Sequence, residues 1–127
     1  MTSHAPKIWH NGNIIPWENA TTHVMSHGLH YGSGVFEGIK CYEGAKATLI
    51  FRLKDHIDRL FQSAKIHNIQ IPFSKIDIVE ACKELIYINK IESGYIRPIA
   101  FYGYDTLGVH PKSCPVETSI AVFNWGE

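Results

Sequence analysis

The sequence has few of the features that mark secreted, membrane-embedded or polyanion-binding proteins. Its three cysteines, Cys41, Cys82 and Cys114, are an odd and widely spaced set, which favours a reduced, cytoplasmic protein over a disulfide scaffold. No run approaches the roughly eighteen apolar residues that a membrane helix needs, and the first residues lack the pattern of a signal peptide. Twelve basic and twelve acidic residues cancel, so we expect no nucleic-acid or membrane partner.

The remaining patterns predict one domain built mainly around β-strands. Asn11-Gly12 lies between two short apolar runs and predicts a β-hairpin, because both residues tolerate a positive φ. The runs VFEGIKCY and ATLIFR flank Glu43-Gly44-Ala45 and predict a second hairpin. Two later runs, YIRPIAFYGY and ETSIAVFNW, are rich in β-forming residues and predict two further strands.

Two helices are predicted between the second hairpin and the last strands. The first has an apolar stripe at helical spacing, formed by Ile57, Leu60, Phe61 and Ala64. The second begins at Ser74, which forms a capping-box pattern with Asp77, and ends near Lys90. Because strands and helices come in blocks, we predict an α+β fold in which an antiparallel sheet is covered by about two helices.

The run HGLHYGSGVFEGIKCY is dense in histidine and glycine and raises the question of a metal or phosphate site. His23, His27 and His30 could be metal ligands, but the chain has neither an H-E-x-x-H pattern nor a nearby cysteine pair. We therefore favour hydrogen-bonded structural histidines and expect no metal ligands. The glycines precede a β-like run and do not match a dinucleotide-binding loop, so they are predicted to shape a turn or a site.

Side-chain alternation along two strands predicts a ligand-binding face. Phe36 and Gly38 share one face of their strand, where an aromatic ring beside a glycine predicts an apolar notch. Tyr95 and Arg97 share a face of another strand and would suit an apolar ligand that bears an acid, although they could also be ordinary surface residues. Pro98 lacks an N–H and predicts that this strand lies at an edge or opens locally.

Arg59 is the other candidate for binding an anion. It can form an i,i+4 ion pair with Asp55, or it can hold a phosphate or carboxylate in a bidentate manner. The pattern alone leaves both interpretations open.

Four separated motifs carry a family resemblance: HVMSHGLHYGSGVFEGIKCYEG, FRLKDHIDRLFQSAK, YIRPIAFYG and FNWG. Together they resemble the N-terminal, smaller domain of the branched-chain amino acid aminotransferases, which are fold-type IV enzymes that use pyridoxal 5′-phosphate. FEGI and YIRP favour this branch over its relatives, the D-amino-acid aminotransferases and aminodeoxychorismate lyases, which remain alternatives. The resemblance implies that residues 1–127 form the substrate-side domain and that the catalytic C-terminal domain is absent from this chain.

The resemblance also implies roles for individual residues. Arg59 would hold the 5′-phosphate of the cofactor, Phe36 and Gly38 would form an apolar wall, and Tyr95 and Arg97 would lie at the carboxylate end of the substrate. Arginine there could also accommodate the second carboxylate of glutamate.

Two further residues are implied to act across a subunit boundary. Tyr31 would reach over the interface and Val109 would be lent by the neighbouring subunit, which implies a homo-oligomer.

The implied reaction moves the amino group of leucine, isoleucine or valine to 2-oxoglutarate in branched-chain amino acid biosynthesis. In this family the catalytic lysine lies in the C-terminal domain, and none of the nine lysines here has the matching context. We therefore assign no catalytic residue to the chain and expect the 127 residues to be inactive alone. The alternative from another class is a stand-alone binding or dimerisation module.

Overall fold

The computed structural model describes residues 3–105 and 108–124; the end of the FNWG motif, at 125 and 126, lies outside them. The first half of the fold contains β1 (Ser3–His4), β2 (Lys7–His10), β3 (Asn13–Pro16), α1 (His27–Tyr31), β4 (Gly34–Phe36), β5 (Ile39–Tyr42) and β6 (Leu49–Ile50). The second half contains α2 (Leu53–Ile66), α3 (Lys75–Ile88), β7 (Gly94–Tyr102) and β8 (Val116–Asn124). The short α1 was not predicted.

All strand pairs in the described residues are antiparallel and belong to one sheet. The order is β3-β2-β8-β7-β5-β6, with β4 pairing the second half of β7 and β1 pairing the end of β8. The predicted hairpin at Asn11-Gly12 is confirmed, with φ values of 49° and 97°. Asn11 also ties this turn to β8, because its side chain accepts from the Thr118 N–H at 2.8 Å. The second predicted hairpin joins β5 to β6 through residues 43–48.

The two long helices cover one face of the sheet, which we call the inner face. The predicted stripe on α2 is confirmed: Ile57, Leu60 and Ala64 are buried, and Phe61 packs at the edge of the core. The predicted start of α3 is also confirmed, since Ser74 and Asp77 form both halves of a capping box. The predicted α+β class is therefore correct.

Of the two alternatives predicted from Pro98, an edge strand or a local opening, the local opening is confirmed. Strand β7 is not at an edge; it lies between β8 and the pair formed by β4 and β5. However, the sheet opens locally between β4 and β5. Phe36 pairs with Ile99 and Ile39 pairs with Ile96, so Glu37 lies opposite Pro98 in the gap between these pairs. The Glu37 N–H still donates to the Pro98 carbonyl at 3.1 Å, but proline has no N–H to return the bond.

The described helices differ from membrane-spanning segments. Within residues 3–105 and 108–124, none is long and apolar enough to cross a bilayer.

Candidate functional site

An arginine and two aromatic rings meet on the outer face of the sheet, opposite the helices. The Arg97 Nη2 donates to the Tyr95 hydroxyl at 3.2 Å. Its guanidinium carbon lies 4.3 Å from the centre of the Phe36 ring and 5.5 Å from that of Tyr95. The structure thus brings together Phe36, Tyr95 and Arg97, three of the residues predicted from the sequence to form a substrate pocket.

The Arg97 guanidinium retains a donor that nothing in the described residues uses. Its Nε is buried and has no hydrogen-bond partner. A buried guanidinium donor without an acceptor is uncommon and costs free energy, because all five guanidinium N–H groups seek oxygen acceptors. A carboxylate beside Phe36 and Tyr95 would satisfy this donor, so the cluster suits an acid with an apolar body.

Gly38 allows Tyr95 to take its position in this cluster. A Cβ added to Gly38 would lie 2.7 Å from Tyr95 Cζ and closer still to the hydroxyl oxygen. The space over Gly38, beside the predicted apolar notch at Phe36, is occupied by the Tyr95 ring. Whether Gly38 and its neighbours bind substrate stays a prediction.

On the inner face, the buried carboxylate of Glu37 forms an ion pair with the largely exposed Arg59 of α2. The Glu37 side chain is 5% exposed and accepts from Arg59 Nε and Nη2, each at 2.8 Å. The His56 Nδ1 lies 2.9 Å from the Glu37 Oε1. Burial of the Glu37 carboxyl raises its pKa, but hydrogen bonds and charge from Arg59 and His56 outweigh burial, and the net pKa lies below its ordinary value.

The alternative ion pair between Arg59 and Asp55 does not form. Asp55 instead accepts from Arg52 Nε at 2.8 Å. The i,i+4 spacing was therefore a poor guide, because Glu37, between β4 and β5, offers Arg59 a bidentate partner.

Arg59 also lines a small surface cavity. The cavity has a volume of about 250 Å³ and is lined by Phe51, Arg52, Asp55, His56 and Arg59. The Arg59 side chain is 67% exposed, and within the described residues its Nη1 has no hydrogen-bond partner. An open guanidinium nitrogen beside a second arginine suits a phosphate or another small anion.

His27 joins Tyr31 to Val109, the two residues implied to act across a subunit boundary. The His27 ring is 3% exposed, and its Nε2 lies 2.7 Å from the Val109 carbonyl. Because a carbonyl only accepts, Nε2 is the donor in this bond, and Nδ1 lies 2.6 Å from the Ser33 hydroxyl oxygen. The ring centres of His27 and Tyr31 are 4.5 Å apart.

The side chains of Tyr31 and Val109 nevertheless lie on the surface. Tyr31 is exposed and Val109 is 74% exposed. His23 and His30 are hydrogen-bonded as well, His23 Nδ1 accepting from the Met25 N–H at 3.0 Å and His30 Nε2 lying 3.0 Å from the Val24 carbonyl. All three clustered histidines thus have the structural hydrogen bonds that we favoured.

Sequence reasoning missed Glu37 as a partner of Arg59. The signal was present, since alternation placed Glu37 on the same strand face as Val35, Ile39 and Cys41, all of which are buried. A glutamate on a buried face needs a cation or several donors, and arginine is scarce in this chain.

Comparison with known proteins shows the family of the chain. Residues 34–127 match the family described as amino-transferase class IV, and the chain belongs to that family.

Within the family the chain is similar to branched-chain amino acid aminotransferases. It is 48% identical over 119 residues to the branched-chain-amino-acid aminotransferase of Pseudomonas aeruginosa, covering 94% of this chain and 39% of that protein. It is also 48% identical to a T.th. branched-chain amino acid aminotransferase of known structure, with TM-scores of 0.93 for the structure with pyridoxamine 5′-phosphate and 0.92 for the complex with N-(5′-phosphopyridoxyl)-L-glutamate.

These matches cover nearly all of this chain but less than half of each relative. The two solved structures cover 97% and 95% of this chain, whereas the chain covers 41% of each. The chain therefore spans about two fifths of the length of the relatives it matches, and the resemblance seen in its motifs is confirmed at the level of the family.

Proposed function

We propose that this chain is the N-terminal, substrate-side domain of a cytoplasmic branched-chain amino acid aminotransferase. The enzyme would move the amino group of leucine, isoleucine or valine to 2-oxoglutarate in branched-chain amino acid biosynthesis. The observation that carries the proposal is the outer-face cluster, in which the unsatisfied Arg97 Nε lies beside the Phe36 and Tyr95 rings. The similarity to curated branched-chain aminotransferases supports the same conclusion.

In this proposal the residues of the outer face bind and orient the amino acid. Arg97 donates to a carboxylate, Tyr95 holds the guanidinium in place through its hydroxyl, and Phe36 contacts the apolar side chain. The second carboxylate of glutamate would use the same arginine. The solved relative complexed with N-(5′-phosphopyridoxyl)-L-glutamate supports a glutamate-compatible site of this kind.

The cofactor implied by the family is pyridoxal 5′-phosphate, and the residues of the inner face fit its phosphate. Arg59 lines the cavity, and Glu37 engages its Nε and Nη2, which leaves Nη1 for the phosphate. When bound, the cofactor supplies the electron sink for chemistry at the substrate's α-carbon. No lysine of this chain is assigned to that chemistry, and we propose that a separate C-terminal domain provides it.

We further propose that the enzyme is a homo-oligomer. Tyr31 and Val109 are exposed side chains on two segments that the buried His27 fastens together. Such a pre-ordered, exposed pair is suited to complete a pocket in a neighbouring subunit.

The function is tested by assaying the complete polypeptide that the reading frame encodes, alongside the 127-residue chain. We expect transfer from leucine, isoleucine and valine to 2-oxoglutarate by the complete polypeptide, and none by the 127 residues. Activity only with D-amino acids, or lyase activity, would assign the chain to a related branch. Absence of any reaction in the complete polypeptide would favour a non-catalytic module.

Arg97→Ala tests the carboxylate assignment. The variant removes the contact between Arg97 and the second carboxylate of glutamate, a group that leucine lacks. We therefore expect kcat/KM for glutamate to fall about 10- to 100-fold and kcat/KM for leucine to fall less. Lys40→Ala is the matched control, because Lys40 is an exposed cation on the same outer face, and it should leave the ratio of the two substrates unchanged. Equal losses for glutamate and leucine in Arg97→Ala would overturn the second-carboxylate role.

A further inference from the structure

We propose that Glu37 is a positioning residue for anion binding: its buried carboxylate holds Arg59 by two nitrogens and leaves the third, Nη1, for a phosphate group. This inference rests on the proposed function in one respect, the identity of the anion as the cofactor's phosphate. It adds a residue that does not itself contact the phosphate and acts only through Arg59.

The geometry separates the fixed end of the pair from the free end. Glu37 is almost fully buried, and both of its oxygens are engaged, Oε2 by Arg59 Nε and Oε1 by Arg59 Nη2 and His56. Its backbone is held by the hydrogen bond to Pro98. Arg59, by contrast, is largely exposed and lines the cavity of about 250 Å³, whereas Glu37 does not.

Such an arrangement pre-orders a side chain that would otherwise be mobile. A solvent-exposed arginine has many rotamers, and ordering it when a ligand binds weakens affinity. The two parallel hydrogen bonds to Glu37 fix the plane of the guanidinium before the ligand arrives. The nitrogen that remains, Nη1, makes no hydrogen bond within the described residues.

Electrostatics and positioning predict opposite changes in phosphate affinity when the charge of Glu37 is removed. A carboxylate close to an anion site repels the anion, so charge alone predicts that removing the Glu37 charge tightens phosphate binding. Positioning predicts the opposite, because the guanidinium loses its fixed orientation. The direction of the change in Kd therefore separates the two effects.

The experiment measures binding of pyridoxamine 5′-phosphate by calorimetry to the apo form of the complete encoded polypeptide. This probe carries the phosphate but no aldehyde that could react with lysines. We expect Glu37→Gln to raise its Kd about three- to tenfold, the cost of ordering one long side chain. The Kd of pyridoxamine, which lacks the phosphate, should change much less.

The matched control is Asp55→Asn. It removes one negative charge from a carboxylate that lines the same cavity but pairs with Arg52. We expect it to lower the Kd of pyridoxamine 5′-phosphate, as charge alone dictates. If Glu37→Gln also lowers the Kd, or leaves it unchanged, the positioning role is wrong.

A double variant shows whether Glu37 acts through Arg59. In an Arg59→Ala background, adding Glu37→Gln should not weaken phosphate binding further, because there is no guanidinium left to position. An equal further loss would overturn the proposal. If Arg59→Ala itself leaves binding intact, the phosphate assignment in the proposed function fails instead.

Folding of the variants is checked by their thermal unfolding. Should Glu37→Gln not fold, Arg59→Lys tests the pair from the other side, since lysine keeps the charge but lacks the planar fork. We expect weaker binding of pyridoxamine 5′-phosphate by that variant, and wild-type affinity would overturn the proposal.

Discussion

At the residue scale, neighbouring residues at the break between β4 and β5 serve opposite faces of the sheet. Phe36 and Gly38 face outward to Arg97 and Tyr95, while Glu37 between them faces inward to Arg59. The side chains thus keep, across this break between β4 and β5, the alternation that successive residues of a strand show. The short segment thus links the two candidate binding regions.

Replacing Gly38 by alanine should disturb the outer-face cluster through Tyr95. The new Cβ would overlap the Tyr95 ring, so either the ring moves away from Arg97 or the strand shifts. We expect a loss of about 1 to 3 kcal/mol in the free energy of unfolding, the usual range for overpacking. Urea unfolding of the variant measures this loss.

A double-mutant cycle supplies the control for that prediction. In a Tyr95→Ala background there is no ring to displace, and Gly38→Ala should cost little. A cost that persists in full without the ring would show that glycine is required there for another reason.

At the scale of elements, local signals predicted the two long helices and most strands. The stripe on α2, the capping box of α3 and the Asn11-Gly12 turn each depend on residues close together in sequence, and each is confirmed. The short α1 was missed because its five residues are too few to show a helical period. Pro98 did not indicate an edge strand, because a proline can lie inside a sheet where the neighbouring strand is interrupted.

The capping box gives a quantitative test at this scale. Ser74→Ala should lower the free energy of unfolding by about 1 kcal/mol, because the Asp77 N–H loses its acceptor at 3.0 Å. Ser74→Thr should retain most of the stability. Ser113→Ala, in an exposed turn, should change it by no more than about 0.5 kcal/mol. Urea unfolding decides, and equal effects for Ser74→Ala and Ser113→Ala would contradict the capping role.

At the scale of the whole molecule, the sheet has one covered and one open face. Helices α2 and α3 bury the inner face, whereas on the outer face Phe36 is 57% exposed and Tyr42 is also exposed. Exposed aromatic groups on one surface are typical of a face that contacts another domain or subunit.

We therefore expect the 127-residue chain to self-associate through its outer face. Sedimentation velocity over a range of concentrations should show reversible growth in mass, and Phe36→Ser should reduce it. Tyr87→Ser is the matched control, since Tyr87 is 83% exposed but lies on α3. A similar reduction by both variants would show that association does not use the outer face.

The sequence by itself determined the kinds of elements, the alternation of faces and the family. These follow from short-range periodicity, turn chemistry and motifs, all of which are written along the chain. The tertiary structure alone decided the partners of the charged and polar groups: Glu37 with Arg59, His27 with the Val109 carbonyl, and Tyr95 over Gly38. The physical reason is that these contacts depend on strand register and helix placement between residues distant in sequence, which no local pattern specifies.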